Sequence, residues 1–120
     1  MTLNVEAVSH ERAGDVSIVR LSGTTLDAGN SKEFKAEVAR LLNPGARIVL
    51  DMTELKFVDS SGLGAMVSTL RQVNGAGGDL RLCGLSKPVR ALLELVRMHR
   101  VFGIFNTREE AVESFASQPS

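Results

Sequence analysis

Ile48-Val49-Leu50-Asp51, followed after a short connection by Phe57-Val58-Asp59-Ser60-Ser61-Gly62-Leu63-Gly64, decides how this chain is read. The first run is short, apolar and rich in β-branched residues, the pattern of a central strand covered on both faces. The second leads into Leu63, Met66, Val67, Leu70 and Val73, whose spacing predicts an amphipathic helix closed by Gly75-Ala76-Gly77-Gly78. A buried strand feeding a helix is the repeating unit of a parallel α/β sheet.

Working outward, the same unit recurs. Leu80 and Leu82 flank Arg81 as the next strand, and Ser86 caps a third helix with Pro88 in its first turn and Val89, Leu92, Leu93 and Val96 on one face. Gly103-Ile104-Phe105 is a short last strand, and Thr107 with Glu110 forms a capping box for a closing helix anchored by Val112 and Phe115. Upstream, Asn30 and Glu33 read as a variant capping box for a helix carrying Phe34, Val38, Leu41 and Leu42, ended by Asn43-Pro44-Gly45. Val16, Ile18 or Val19, and Leu21 predict a strand with one buried face. Leu3, Val5 and Ala7 predict a weaker antiparallel partner, with its turn in His10–Gly14. The expected fold is α/β, a mixed and mostly parallel sheet with helices packed on it, in the order β-β-α-β-α-β-α-β-α. One domain is expected over residues 1–120, with a tail at 117–120 that frays.

Composition narrows the function. The 14 Lys and Arg balance 14 Asp and Glu, so a nucleic-acid footprint, which needs a basic excess, is not expected. No apolar run is long enough for a membrane span and the first residues lack a signal-peptide pattern, so the expected location is cytoplasmic. Cys83, the one cysteine, excludes an internal disulfide and any multi-cysteine zinc site, and its strand position predicts a small buried apolar residue. No His, Cys, Asp and Glu spacing suggests a metal, and no cofactor is expected. His10 and His99 fall in a turn and at a helix end, and the Gly-x-Ser-x-Gly elbow is absent, which argues against a hydrolase.

Chemistry in such sheets collects where strands run into helices. Two loops qualify: Gly23-Thr24-Thr25-Leu26-Asp27-Ala28-Gly29-Asn30, and the stretch around Asp59-Ser60-Ser61. At the second, two hydroxyls and a carboxylate meet two glycines in a helix's first turn. Each glycine costs a helix about 1 kcal/mol against alanine but allows close approach of another molecule. The helix start also favours an anion, so a hydroxyl there suits phosphorylation. The plainer reading is that Asp59 or Ser60 caps the helix and the glycines permit tight packing on the sheet. Residue chemistry alone does not choose between Ser60 and Ser61 as acceptor.

Val58-Asp59-Ser60-Ser61-Gly62-Leu63-Gly64 resembles the signature of STAS domains of the bacterial anti-sigma factor antagonist type. Leu21-Ser22-Gly23, Leu26-Asp27, Gly77-Gly78 and Ser86-Lys87-Pro88-Val89 extend the resemblance over nearly the whole chain. It implies a non-enzymatic switch. In that family the serine after the aspartate is phosphorylated by an anti-sigma factor serine kinase of the histidine-kinase-like ATPase type. Binding of the unphosphorylated form releases a sigma factor, and a serine phosphatase resets the cycle. The resemblance assigns phosphorylation to Ser60 over Ser61, and partner binding to Asp27, Asp59, Ser60, Ser61, Gly62, Leu63 and Gly64. The loop Gly23-Thr24-Thr25-Leu26-Asp27 departs from the commoner pattern by one extra residue and a missing first acid. Lys87, Arg90, Arg97 and Arg100 put positive charge along the third helix, ordinarily a solvated face; the resemblance implies that this side lies near the partner and can aid association.

Two rival readings stand beside this one. A passive STAS binding module keeps the fold without the switch. A receiver-type domain would be phosphorylated on Asp51, although no acidic pair follows the first strands and no lysine follows Phe105.

Overall fold

The chain opens with a hairpin of two long strands, β1 (Thr2–His10) and β2 (Gly14–Ser22), paired antiparallel from Thr2↔Ser22 to His10↔Gly14. The His10 ring closes the turn: its Nδ1 accepts the backbone N–H groups of Arg12 (3.1 Å) and Ala13 (3.0 Å). The structure, a computed structural model, describes residues 2–116, so the tail at 117–120 lies outside the described residues.

From β2 onward the pairing is parallel. β4 (Arg47–Asp51), β6 (Asp79–Cys83) and β7 (Gly103–Phe105) extend a five-stranded sheet in the order β1-β2-β4-β6-β7. β4 is central, as its continuous apolar run predicts. One face of the sheet packs against α1 (Ser31–Ala39), α2 (Ser60–Gly75) and α3 (Lys87–Leu95). There Phe34, Met66, Leu70, Val89 and Leu93 meet Val19, Leu21, Ile48, Leu50 and Leu82. The other face carries α4 (Arg108–Ala116), whose Ala111, Val112 and Phe115 meet Val16, Ile18, Val49 and Cys83. β2 is therefore buried on both faces, not one. Its parallel neighbour draws it into the sheet, so both side-chain sets find cover.

A second, small sheet pairs β3 (Thr25–Leu26) with β5 (Phe57–Val58) in parallel. The sequence reading contains neither strand. Helix ends also differ from expectation. α1 stops at Ala39, short of Pro44, and passes into a tighter turn in which Leu41 N–H reaches Val38 C=O at 2.9 Å. Asn30 precedes α1 but its side chain makes no cap, being engaged elsewhere. Ser86 likewise makes no cap bond at α3; its hydroxyl is buried without a partner, and Pro88 supplies the preset first turn. α3 ends at Leu95, so Arg97 and Arg100 lie beyond the helix, and Val96 is exposed. Thr107 does cap α4, its Oγ1 accepting the Glu110 N–H at 3.1 Å.

Asp51 ends β4 and is 6% exposed. It accepts from the Thr53 N–H (3.1 Å), the Thr53 hydroxyl and the Arg108 guanidinium (2.8 Å), and Arg108 also reaches Glu6 at 2.7 Å. Burial alone would raise the Asp51 pKa, but the bonds from Thr53 and Arg108 together hold it below the usual aspartate value. A carboxylate so occupied ties α4 to the sheet and is not a receiver-type phosphate acceptor. Burial, with the Asp51 charge beside it, pushes the Cys83 thiol up to about 12, consistent with a packed apolar residue.

Candidate functional site

The two loops singled out in the sequence come together through the small sheet. Parallel pairing of Thr25–Leu26 with Phe57–Val58 sets the β3–α1 loop beside the start of α2. Lys56 N–H donates to Thr24 C=O at 2.7 Å, and Asp59 N–H donates to Leu26 C=O at 3.1 Å, so the pairing continues into the site.

Asp59 is the joint between the loops. Its Oδ1 accepts the Gly62 N–H at 2.8 Å, the N-cap of α2, while Oδ2 accepts the Ala28 N–H of the neighbouring loop at 3.2 Å. Asp27 organises its own loop. Oδ1 accepts from the Gly29 N–H (2.9 Å) and Oδ2 from the Thr25 hydroxyl (3.3 Å). Asn30 completes that loop, accepting the Asp27 N–H and donating to Thr25 C=O, each at 2.9 Å. This is why Asn30 does not cap α1: its amide is spent inside the loop.

The two glycines divide between the readings open at the sequence level. Gly62 is buried, and a side chain there would run into the Leu26 carbonyl, so it serves packing of α2 on β3. Gly64 is exposed with open space around it, so no internal contact demands a glycine there.

Ser60 and Ser61 begin α2 and both are exposed. They differ in direction. Ser60 shares a stripe of α2 with Leu63, Gly64, Val67, Ser68 and Arg71, and this stripe forms one wall of a groove of about 470 Å³. Val96 and Met98, from the turn after α3, form the other wall. Ser61 is not part of that lining. The groove, Ser68, Arg71 and Met98 were missed in the sequence, where Val96 reads as core. Phe57, 56% exposed immediately before the site, and Leu95, 80% exposed at the end of α3, were not singled out in the sequence either.

The STAS domain family model matches residues 6–111. The chain belongs to the STAS family. This STAS domain is 32% identical over 114 residues to the anti-sigma F factor antagonist of Paenibacillus polymyxa, covering 93% of this chain and 94% of that one. It is 25% identical over 113 residues to the anti-sigma-B factor antagonist of Bacillus subtilis, covering 94% and 100%. Its fold superposes with a TM-score of 0.67 on the phosphorylated form of the Bacillus cell fate determinant SpoIIAA, at 24% identity and covering 94% of this chain and 98% of that chain. The general role of the STAS domain is that of an anti-sigma factor antagonist, a regulator and not an enzyme. Among the described residues no helix is long and apolar enough to cross a membrane.

Proposed function

We propose that this STAS domain binds an anti-sigma factor serine kinase of the histidine-kinase-like ATPase type, frees a sigma factor by doing so, and is switched off by phosphorylation of Ser60. A serine phosphatase restores the binding form, and the cycle runs in the cytoplasm. The observation that carries this reading is the exposed Ser60 hydroxyl at the first position of α2, on the wall of an apolar groove. Ser61, also exposed, sits off that wall, which favours Ser60. Asp27, Asp59, Gly62, Leu63 and Gly64 make or border the same face. The existence of a phosphorylated form of the SpoIIAA fold relative supports the reading.

The switch follows from charge. A phosphate adds about −1.5 to −2 charges. On Ser60 it joins Asp59 and lies by the loop that holds Asp27. Both carboxylates are already hydrogen-bonded within the domain, so neither can turn away. Burying the added charge against a partner without a matching cation costs several kcal/mol, and about 4 kcal/mol lowers affinity roughly a thousandfold. The fold itself tolerates the anion, since the start of α2 favours negative charge by about 0.3–1 kcal/mol.

The test is phosphoryl transfer from ATP by a purified kinase of this class, with mapping of the modified residue. Transfer to wild type and Ser61→Ala but not Ser60→Ala is expected, with Ser60→Asp losing kinase binding. Absence of transfer to any form, with binding retained by Ser60→Asp, would leave a passive binding module.

A further inference from the structure

On the α4 side of the sheet, away from Ser60, the His10 ring has both nitrogens committed. Nδ1 accepts the N–H groups of Arg12 and Ala13, so it carries no proton of its own. The ring proton is therefore on Nε2, which donates to Glu113 Oε2 of α4 at 2.7 Å. Glu113 Oε1 accepts from the Arg12 guanidinium at 2.8 Å. The turn is fastened from β4 as well, where the Arg47 guanidinium donates to Ala13 C=O. Ala13 itself is 1% exposed and packs with Val16, Ile18, Ala111 and Val112 beneath α4. Its N–H is buried with it, and the imidazole is the acceptor that satisfies it. Beside the ring a cavity of about 420 Å³ lies between β1 and α4. The charged groups around the ring are Glu6 of β1, Arg12 of the turn, Arg47 of β4, and Arg108, Glu109 and Glu113 of α4. Glu6 is taken up by Arg108 at 2.7 Å, and Glu113 is the one bonded to the imidazole.

We propose that His10 is a proton-operated latch between the β1–β2 turn and α4: the neutral ring holds the turn closed, and a second proton, taken from solvent at Nδ1, releases the Arg12 and Ala13 N–H groups and opens the turn while the rest of the domain stays folded. The device is independent of the Ser60 switch. Two effects of that proton oppose each other. It strengthens the contact with Glu113, whose side chain is 52% exposed, where water leaves an ion pair little net value. It also turns the acceptor of a buried N–H into a donor that faces two donors, and a buried N–H without an acceptor keeps its full desolvation penalty. The second effect prevails because it acts in the core and the first acts at the surface. Histidine changes its charge between about pH 5 and pH 8. Through that range Glu113 stays ionised, its carboxyl held below the usual glutamate value by the hydrogen bond from His10 and by Arg12 beside it, so the ring is the group that changes. With the turn open, Ala13 leaves its place beneath α4 and Val112 loses part of its cover.

The ring and the amides are read by NMR on the whole domain between about pH 8 and pH 5, for wild type, His10→Asn and Glu113→Gln. Asparagine offers an acceptor at the place of Nδ1 but does not titrate. In wild type at about pH 8 the ring nitrogen shifts are expected to place the proton on Nε2. As the ring takes its second proton, protection of the Ala13 amide from solvent exchange is expected to fall about tenfold or more, with Val49 in β4 and Met66 in α2 unchanged. His10→Asn should hold the Ala13 protection constant over the same range. Glu113→Gln should keep the fall, because the acceptor at Nδ1 is untouched. A ring protonated on Nδ1 at the alkaline end, or Ala13 protection that stays level while the ring titrates, overturns the proposal. So does an equal fall in His10→Asn, or a parallel loss at Val49 and Met66, which makes the opening global. Should His10→Asn fail to fold, Glu113→Gln decides: a fall that disappears there assigns the effect to the ion pair and overturns the latch, and a fall that persists supports it.

Discussion

Gly62 and Gly64 stand two residues apart near the start of α2, and alanine at the two positions should act with opposite sign. At Gly62 the new methyl would lie 2.8 Å from the Leu26 carbonyl carbon and 3.0 Å from Leu26 Cγ, with the carbonyl oxygen closer still. The obstacle is backbone, so no rotamer relieves it. Overpacking of this kind costs about 1–3 kcal/mol. Moving the Leu26 carbonyl away also strains its bond from the Asp59 N–H, worth about 0.5–1.5 kcal/mol. Alanine returns about 1 kcal/mol through helix propensity. Gly62→Ala should therefore lose about 1–3 kcal/mol net, a fall of several °C in Tm for a chain of this size. At Gly64 nothing lies within 4 Å of the added carbon, so only the propensity term operates and Gly64→Ala should gain about 0.5–1 kcal/mol. Urea unfolding of both variants, fitted with a common m-value, reads the difference. A Gly62→Ala domain as stable as wild type would refute the account of how α2 seats on β3.

Asp59→Ala should lose about 1–2 kcal/mol in the same assay, since it removes the cap on Gly62 and frees the Ala28 N–H, and hydrogen exchange should quicken at Ala28 and Gly62 together. The Asp51 pKa lies below its unfolded value, so its contribution to stability is present above the usual aspartate range and drains away as pH falls through it. Arg108→Met removes the cation from that carboxylate, which keeps its bonds from Thr53, and should cost about 1–3 kcal/mol near neutrality, since the guanidinium is partly open to solvent. Burial then raises the Asp51 pKa, so the deficit against wild type narrows in acid; urea midpoints from pH 7 to pH 3 would show whether it does. Cys83, with its thiol pushed up to about 12 and buried in β6, should resist thiol reagents in the native state and react only as the domain unfolds in urea, and rapid native labelling would contradict its placement.

Much of the fold is legible because its long elements carry clear periods. The continuous run at Ile48–Leu50 reads as central, and it is; the stripe Leu63, Met66, Val67, Leu70 and Val73 reads as a helix face, and α2 buries Met66, Leu70 and Val73 while Leu63 and Val67 line the groove. The small sheet escapes because two residues carry no period, and the pairing of Leu26 with Val58 joins positions far apart in the chain. Caps fail for a different reason. Asn30 and Ser86 have the right type and place, but Asn30 is recruited by Thr25 and Asp27, and the Ser86 hydroxyl is buried without a bond. At the site, the resemblance picks out Ser60 and the structure adds direction, distinguishing the groove-facing serine from its neighbour. Arg71 and Met98 could not be paired from sequence, since their adjacency depends on where the turn after α3 falls against α2.

The bond from Ala28 to Asp59 spans 31 residues, and the Leu26 carbonyl receives Asp59 while nearly touching Gly62. The two loops are in effect one part made from two stretches of chain. Anyone building hybrids between relatives must transplant 24–30 and 56–62 as a pair, because a graft of either alone inherits a carboxylate or a carbonyl shaped for a neighbour left behind in the donor.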